Sequence, residues 1–141
     1  MFSERKGYLL FMSTKTILIV ENDPNVRHGY HVCLKGGGYE THFASDVLTG
    51  LTEAKRIQPD LIILDLGLRS GDGFTFMERL RTNVYLSMIP IVVVSPSDHP
   101  QSLERALKAG AMAYPHKPVI NDKLLTIINQ ALGETIKAQR T

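Results

Sequence analysis

The feature that most constrains the fold is a short apolar run, Leu61–Leu64, which ends abruptly on the carboxylate of Asp65. An unbroken run of this length is typical of a strand that is buried on both faces. Glycines between positions 67 and 73 then indicate a loop before a helical pattern opens at Phe74. Open α/β sheets place their chemistry at the carboxyl ends of their strands, so Asp65 is a candidate functional residue. A carboxylate that caps a turn is the alternative interpretation of this residue taken alone.

Similar apolar runs recur along the chain and alternate with helical patterns. The predicted strands cover residues 16–20, 39–44, 61–64, 89–94 and 111–115. Between and after them, the predicted helices begin after Asp23, after Ser45 or Asp46, at Phe74, near Leu103, and after Asn121 or Asp122. In the second helix, we expect an inward-facing set made of Val47, Leu48, Leu51, Ala54 and Ile57. Strands that alternate with helices predict right-handed crossovers and a parallel sheet covered on both faces.

The chain of 141 residues has the length of a single domain. Residues 1–14 show no periodicity and are predicted to be a poorly ordered N-terminal extension, in which Met12 is a second plausible start. The folded domain is predicted to cover residues 15–133. Residues 134–141 form a short C-terminal tail that is too short to be an output module.

Composition excludes several classes of function. The chain is 43% hydrophobic and 21% charged, with a net charge of +2 and no basic stripe interleaved with aromatic residues, so we expect no direct binding to nucleic acid. The single cysteine, Cys33, cannot form an internal disulfide and is interpreted as a core residue. No apolar run approaches the roughly 18 residues of a membrane span. We therefore expect a cytoplasmic protein that does not enter a membrane.

Polar residues with related chemistry follow several of the predicted strands. Glu21 and Asp23 follow the first strand, Asp65 ends the third, Ser95 follows the fourth and Lys117 follows the fifth. The carboxyl ends of parallel strands lie at one edge of a sheet, so these residues are expected to share one rim. Carboxylates placed close together repel each other unless a cation lies among them, and Mg²⁺ prefers such oxygen ligands. The rim therefore predicts a site for phosphoryl transfer onto Asp65, in which lysine and serine contact the anion.

From about Lys15 to Gly133, the chain resembles the receiver domain of bacterial two-component response regulators. The motifs that carry this resemblance are Ile17-Leu-Ile-Val-Glu-Asn-Asp-Pro24, Pro59-Asp-Leu-Ile-Ile-Leu-Asp65, Asp72-Gly73, Ile89-Pro-Ile-Val-Val-Val-Ser95, Ala109-Gly-Ala111 and Lys117-Pro118. The resemblance implies a flavodoxin-like (βα)5 three-layer sandwich with a parallel five-stranded sheet of order 2-1-3-4-5.

The resemblance also implies a role for each residue of the rim. Asp65 would be the phospho-acceptor, and Mg²⁺ would be held by Glu21, Asn22, Asp65 and the backbone carbonyl of Gly67. In the family, Lys117 would pair with the phosphoryl group and Ser95 would bond it in the active state, while Tyr114 would swing inward as the serine moves. The donor would be a sensor histidine kinase or a histidine phosphotransfer protein, and the output would be contact with a downstream protein that the sequence does not identify. Enzyme activity would be limited to self-phosphorylation from a phosphodonor and autodephosphorylation.

The sequence departs from the family at three positions. Asn22 stands where the family usually has a metal-binding Asp, so one negative charge is missing. Pro96 follows the serine and has no N–H to offer a phosphoryl oxygen. Arg69 replaces a proline that is common in the loop after the acceptor.

These departures keep two alternatives beside a phosphorylated single-domain receiver. One alternative is a receiver-like module that has lost efficient phosphorylation and binds its partners constitutively. The other is an enzyme or cofactor binder on the same fold. The second is disfavoured because Gly67 stands where a phosphatase of the haloacid dehalogenase type needs another Asp, and because the acids after the first strand would repel a bound phosphate.

Overall fold

A computed structural model describes residues 14–67, 73–94, 100–112, 115 and 121–133 of the chain. In this part of the chain, parallel strands alternate with helices. The elements are β1 (Thr16–Val20), α1 (Pro24–Gly36), β2 (Glu40–Ala44), α2 (Val47–Ile57), β3 (Leu61–Asp65), α3 (Gly73–Arg81), β4 (Ile91–Val94), α4 (Pro100–Lys108) and α5 (Asn121–Ala131). Among the described residues, no helix has both the length and the apolar character to cross a membrane.

The four described strands form one parallel sheet in the order β2-β1-β3-β4. This order confirms the predicted arrangement for these strands. The predicted fifth strand falls on residues 111–115, of which positions 113 and 114 lie outside the described part of the chain. At its beginning, the Met112 N–H donates a hydrogen bond of 2.8 Å to the carbonyl oxygen of Ile91, so the chain enters this segment beside β4.

The sheet is covered on both faces because successive side chains of each strand point in opposite directions. One buried cluster joins the sheet to α2, α3 and α4, and includes Leu18, Val20, Ile62, Leu64, Val93, Ala54, Phe76, Met77 and Ala106. The other joins it to α1 and α5, and includes Ile17, Ile19, Leu61, Ile63, Val92, Tyr30, Cys33, Leu34, Leu124 and Ile128. Because helices cover both faces, the functional groups of the strands are restricted to the ends of the sheet.

Two aspartates begin helices as predicted. The Asp23 side chain accepts hydrogen bonds from the N–H groups of Asn25 and Val26, ahead of Pro24 at the first helical position of α1. Of the two candidate caps for α2, the structure uses Asp46. Its carboxylate accepts a hydrogen bond of 2.8 Å from the N–H of Thr49, and the threonine hydroxyl lies 3.4 Å from the N–H of Asp46. These contacts form a reciprocal capping box.

Besides the starts of β2, α4 and α5, which lie at Glu40, Pro100 and Asn121, two details of the predicted elements are wrong. Leu48 was expected to face the core but is 73% exposed, and it lines an open groove together with Phe43. Strand β4 begins at Ile91 rather than Ile89, because the Ile89 N–H is bonded to the carbonyl of Leu86 in the preceding turn. Neither error changes the sheet or the position of its carboxyl edge.

Candidate functional site

Glu21 and Asp65 lie side by side at the carboxyl edge of the sheet. Val20 is paired with Leu64 in the parallel register of β1 and β3, and each carboxylate belongs to the residue that follows this pair. Both are buried, since Glu21 is 1% exposed and Asp65 is 6% exposed. Acidic side chains are seldom buried to this degree without a partner. Two such acids on adjacent strands therefore mark this edge as a functional site.

Backbone donors hold both carboxylates in place. The N–H of Gly67 donates a hydrogen bond of 3.0 Å to Oδ1 of Asp65, and the N–H of Asp23 donates one of 3.1 Å to Oε2 of Glu21. From the first turns of α1, Nη1 of Arg27 donates a hydrogen bond of 3.1 Å to the carbonyl oxygen of Glu21. The turn that follows β1 is therefore held by two contacts: the N–H of Asp23 orients the Glu21 carboxylate, and Arg27 binds the Glu21 backbone carbonyl.

The buried side chain of Tyr30 is affected by the negative charges of Glu21 and Asp65. The residue is 7% exposed and belongs to the cluster between the sheet and α1. Burial, together with the charges of Glu21 and Asp65, raises the pKa of Tyr30 far above its ordinary value of 10.0. The phenol therefore lies near enough to both acids for their negative charges to oppose its ionisation.

Helix α3 begins close to the backbone of Asp65. A Cβ atom added at Gly73 would lie 2.9 Å from Cδ2 and 3.0 Å from Cα of Leu66, and 3.2 Å from the carbonyl oxygen of Asp65. The first distance is one that real Cβ atoms essentially never show, and the other two are tighter than most, so a side chain here would displace its neighbours. The beginning of α3 and the backbone of the acceptor are thus in direct contact.

The structure brings some of the predicted site residues together and does not describe the others. Half-buried Asn22 follows Glu21 directly, and exposed Gly67 is bonded to Asp65. Asp23, expected near the acids, is exposed and caps α1. Three predicted residues lie outside the described part of the chain: Ser95, Tyr114 and Lys117. Ser95 nevertheless follows Val94, which is paired with Asp65 in the register of β3 and β4.

The donor set at this edge fits a hard divalent cation. The two buried carboxylates supply negative charge, and Asn22 in the adjoining turn adds an amide that carries an oxygen. Mg²⁺ keeps several of its waters in proteins and needs few protein ligands, all of them oxygens. Within the described ranges, no group of three or more His, Cys, Asp or Glu side chains is arranged to hold a metal ion.

Sequence reasoning missed two residues of the site. Arg27 was given no role, although a cation near the start of α1 faces the positive end of the helix dipole and is unfavourable there without a partner. That position was the available signal, and the carbonyl of Glu21 is the partner. Tyr30 was correctly assigned to the core, but no pattern in the chain indicated that its face of α1 lies beneath the acids.

The family comparison places the chain among known proteins. The model of the response regulator receiver domain matches residues 17–129. The chain is 40% identical over 102 residues to the KDP operon transcriptional regulatory protein KdpE of Escherichia coli, covering 72% of this chain and 44% of KdpE. It is 28% identical over 117 residues to Protein PilH of Pseudomonas aeruginosa, covering 83% of this chain and 97% of PilH. The chain thus spans less than half the length of KdpE and nearly all of PilH.

Solved structures agree on the fold. The receiver domain of sensor histidine kinase PA1611 from Pseudomonas aeruginosa, with a magnesium ion coordinated in its active site cleft, superimposes with a TM-score of 0.79 at 25% identity. The match covers 86% of this chain and 99% of that domain. The flavodoxin-like fold that the family resemblance implied is confirmed, with the strand order observed for the four described strands. The chain belongs to the response regulator receiver domain family of two-component signalling systems.

Proposed function

We propose that the chain is a phosphorylated receiver, in which Asp65 accepts a phosphoryl group from a sensor histidine kinase or a histidine phosphotransfer protein. The observation that carries the proposal is the pairing of two buried acids, Glu21 and Asp65, on adjacent strands at the carboxyl edge of the sheet. In the transfer, a carboxylate oxygen of Asp65 forms a bond to phosphorus while the bond from phosphorus to the donor imidazole nitrogen breaks. The imidazole, protonated at its other ring nitrogen, leaves with the electron pair of the broken bond and is released as neutral imidazole on the donor.

Mg²⁺ would be held by Glu21, Asn22, Asp65 and the carbonyl oxygen of Gly67, and it would offset negative charge that gathers at the acceptor. The magnesium ion in the PA1611 receiver domain supports this assignment. The chain's own residues orient the acceptor: the N–H of Gly67 holds one oxygen of Asp65, and the Glu21 turn is fixed by Arg27. The amide of Asn22 lacks the charge of a carboxylate, so we expect weaker binding of the cation than in receivers with a full set of acids.

The response to phosphorylation would involve residues outside the described part of the chain. Ser95 and Lys117 would contact the phosphoryl group, and Tyr114 would fill the space that the serine leaves. Pro96 cannot donate the N–H that usually follows the serine, so we expect a partial switch that Pro96→Ala sharpens. NMR shifts of α4 with and without beryllofluoride measure this, and a complete shift that Pro96→Ala leaves unchanged contradicts it.

The test of the acceptor uses two aspartates of the same strand region. The full chain is incubated with Mg²⁺ and acetyl phosphate, and the addition of one phosphoryl group is followed by intact mass. Asp65→Asn should abolish the addition. Asp60→Asn is the matched control because Asp60 lies just before β3, at the opposite edge of the sheet, where it accepts a hydrogen bond of 2.7 Å from the N–H of Thr16. An amide oxygen preserves that bond, so this variant should be labelled like the unmodified chain.

The two variants also separate chemistry from folding. Both should show the circular dichroism and cooperative unfolding of the unmodified chain, so that a loss of labelling in Asp65→Asn can be assigned to the missing carboxylate. A mass increase that persists in Asp65→Asn, or one that disappears in Asp60→Asn alone, contradicts the assignment. Transfer from a phosphorylated histidine kinase then tests whether the donor is of the proposed class.

A further inference from the structure

Three large apolar side chains are exposed together in the connection between α3 and β4. Val84 is 80% exposed, Tyr85 is 77% exposed and Met88 is 84% exposed. They lie within five consecutive residues, and we call them the apolar loop patch. Scattered exposed apolar residues are normal, but a contiguous group of large ones marks a surface that another group covers.

The patch is held on a rigid framework. Oδ1 of Asn83 accepts hydrogen bonds from the N–H groups of Tyr85, at 2.8 Å, and Leu86, at 3.0 Å. Leu86 is 2% exposed and anchors the turn in the core beside α3. The N–H of Ser87 is bonded to the carbonyl of Asn83. The backbone that carries the three exposed side chains is therefore held in place, which lowers the entropic cost of covering them.

The apolar loop patch lies near the start of the described chain, because both are at the edge of the sheet where the strands begin. The Asp60 N–H is bonded to the carbonyl of Thr16, and the Ile62 N–H is bonded to the carbonyl of Pro90. Thr16 and Pro90 are thus two strand spacings apart, about 10 Å, at the same edge of the sheet. Met88 comes two residues before Pro90. It therefore lies near the same edge of the sheet at which the chain continues from Thr16 toward its N-terminus.

The residues that precede Thr14 lie outside the described part of the chain, and they include the apolar run 8–12, Tyr-Leu-Leu-Phe-Met. At about 3.3 Å per residue, the chain between Thr14 and position 8 can reach roughly 20 Å, about twice the separation of Thr16 and Pro90. We propose that this N-terminal run packs against the apolar loop patch and shields it from water. The contact does not depend on phosphorylation at Asp65, since the patch lies at the opposite edge of the sheet.

Two other occupants fit less well. Residues 134–141 follow α5, which belongs to the layer on the other face of the sheet, and their only hydrophobic residues are Ile136 and Ala138. A second copy of the chain could also cover the patch, but the segment 8–12 is tethered within reach and therefore acts at a high effective concentration. The tethered run 8–12 is therefore the expected occupant of the apolar loop patch.

The first experiment measures access to the patch. Val84→Cys and Met88→Cys are made separately in the full chain and in a chain that begins at Met12, and the reaction of each new thiol with a maleimide is timed. Cys33 is buried and serves as an internal slow-reacting reference. Docking for about nine-tenths of the time makes the thiol about tenfold slower in the full chain than in the shortened one. Leu48→Cys, on a residue that is 73% exposed at the other edge, is the control and should react equally in both.

The second experiment identifies the occupant. A Leu10→Cys/Met88→Cys chain is oxidised under mild conditions, beside a Leu10→Cys/Leu48→Cys control, and the linked peptides are identified by mass spectrometry. The proposal expects an intrachain link between positions 10 and 88 that forms well before the control link. Equal thiol rates in the two chain lengths, or equal linking at positions 88 and 48, overturn it. Protection that persists in the shortened chain and grows with protein concentration overturns it as well, in favour of a second copy.

Discussion

The N–H of Gly67 donates a hydrogen bond of 3.0 Å to Oδ1 of Asp65, so the residue that orients the acceptor acts through its backbone. Gly67 is not among the glycines with positive φ, and a Cβ atom at this position would lie 3.6 Å from Oδ1, an ordinary van der Waals contact. A side chain at position 67 would thus cause no steric clash. The opposite holds for Gly73, six residues later.

The two glycines give a matched pair of variants. Gly67→Ala should leave labelling by acetyl phosphate close to that of the unmodified chain, because the N–H and the carbonyl are both retained. Gly73→Ala should slow labelling and lower the free energy of unfolding by about 1–3 kcal/mol, because Leu66 and the carbonyl of Asp65 must shift. Phosphorylation rates and urea denaturation measure the two effects. Equal behaviour of the two variants would show that the approach of α3 does not position the acceptor.

Asn22→Asp should tighten binding of Mg²⁺ by about tenfold or more, because a third formal charge then faces the ion. The same charge adds repulsion beside Glu21 and Asp65, so the chain without Mg²⁺ should be less stable and should recover on addition of the ion. Calorimetric titration and thermal unfolding with increasing Mg²⁺ check both parts. Superimposable titrations of the two proteins would place residue 22 away from the cation.

Tyr30→Phe should make the protein more resistant to alkaline unfolding. Below pH 10 both states keep the phenol proton, and above it the unfolded chain loses the proton first, because burial and the two acids raise the pKa in the folded state. The free energy of unfolding should therefore fall as pH rises beyond 10, and removal of the hydroxyl should reduce that fall. Urea denaturation between pH 9 and 11 tests this.

Asp46→Ala should destabilise the chain by about 1 kcal/mol through loss of the α2 cap, whereas Asp46→Asn should keep the cap at neutral pH. Hydrogen bonds from Thr49 lower the pKa of Asp46 below its ordinary value of 3.8. The stability that this charge contributes is complete above pH 3.8 and is lost as the pH falls through the lower pKa of the folded state. The unmodified chain should therefore lose stability relative to Asp46→Asn below that pH. Parallel curves from pH 7 to pH 3 would contradict the prediction.

Gly29→Ala should raise the free energy of unfolding by about 0.5–1 kcal/mol. Gly29 lies in the interior of α1, and a Cβ atom there would meet nothing within 4 Å, so only the entropy of the unfolded chain changes. Gly50→Ala is the counterpart in α2. A Cβ atom there would lie 2.9 Å from the ring of Phe76, so this substitution should destabilise the protein. Denaturation midpoints that move in the same direction would contradict this reasoning.

The sequence predicts the parallel sheet and the position of Asp65 at the end of β3 because both follow from local patterns. Strand β1 has its predicted bounds, and Asp65 ends β3 as expected. Leu48 was wrongly expected to be buried. It lies near the start of α2, beside the edge strand β2, and no further strand lies beyond that edge to cover its side chain. Arg27 could not be paired because its partner is a backbone carbonyl, which leaves no trace in the sequence.

Tyr30 and Gly73 meet the acid pair from opposite layers of the sandwich. Tyr30 reaches it from the α1–α5 layer, and Gly73 begins α3 in the other layer, against the backbone of Asp65. A change at Asp65 therefore meets a buried phenol in one helical layer and the first residue of α3 in the other.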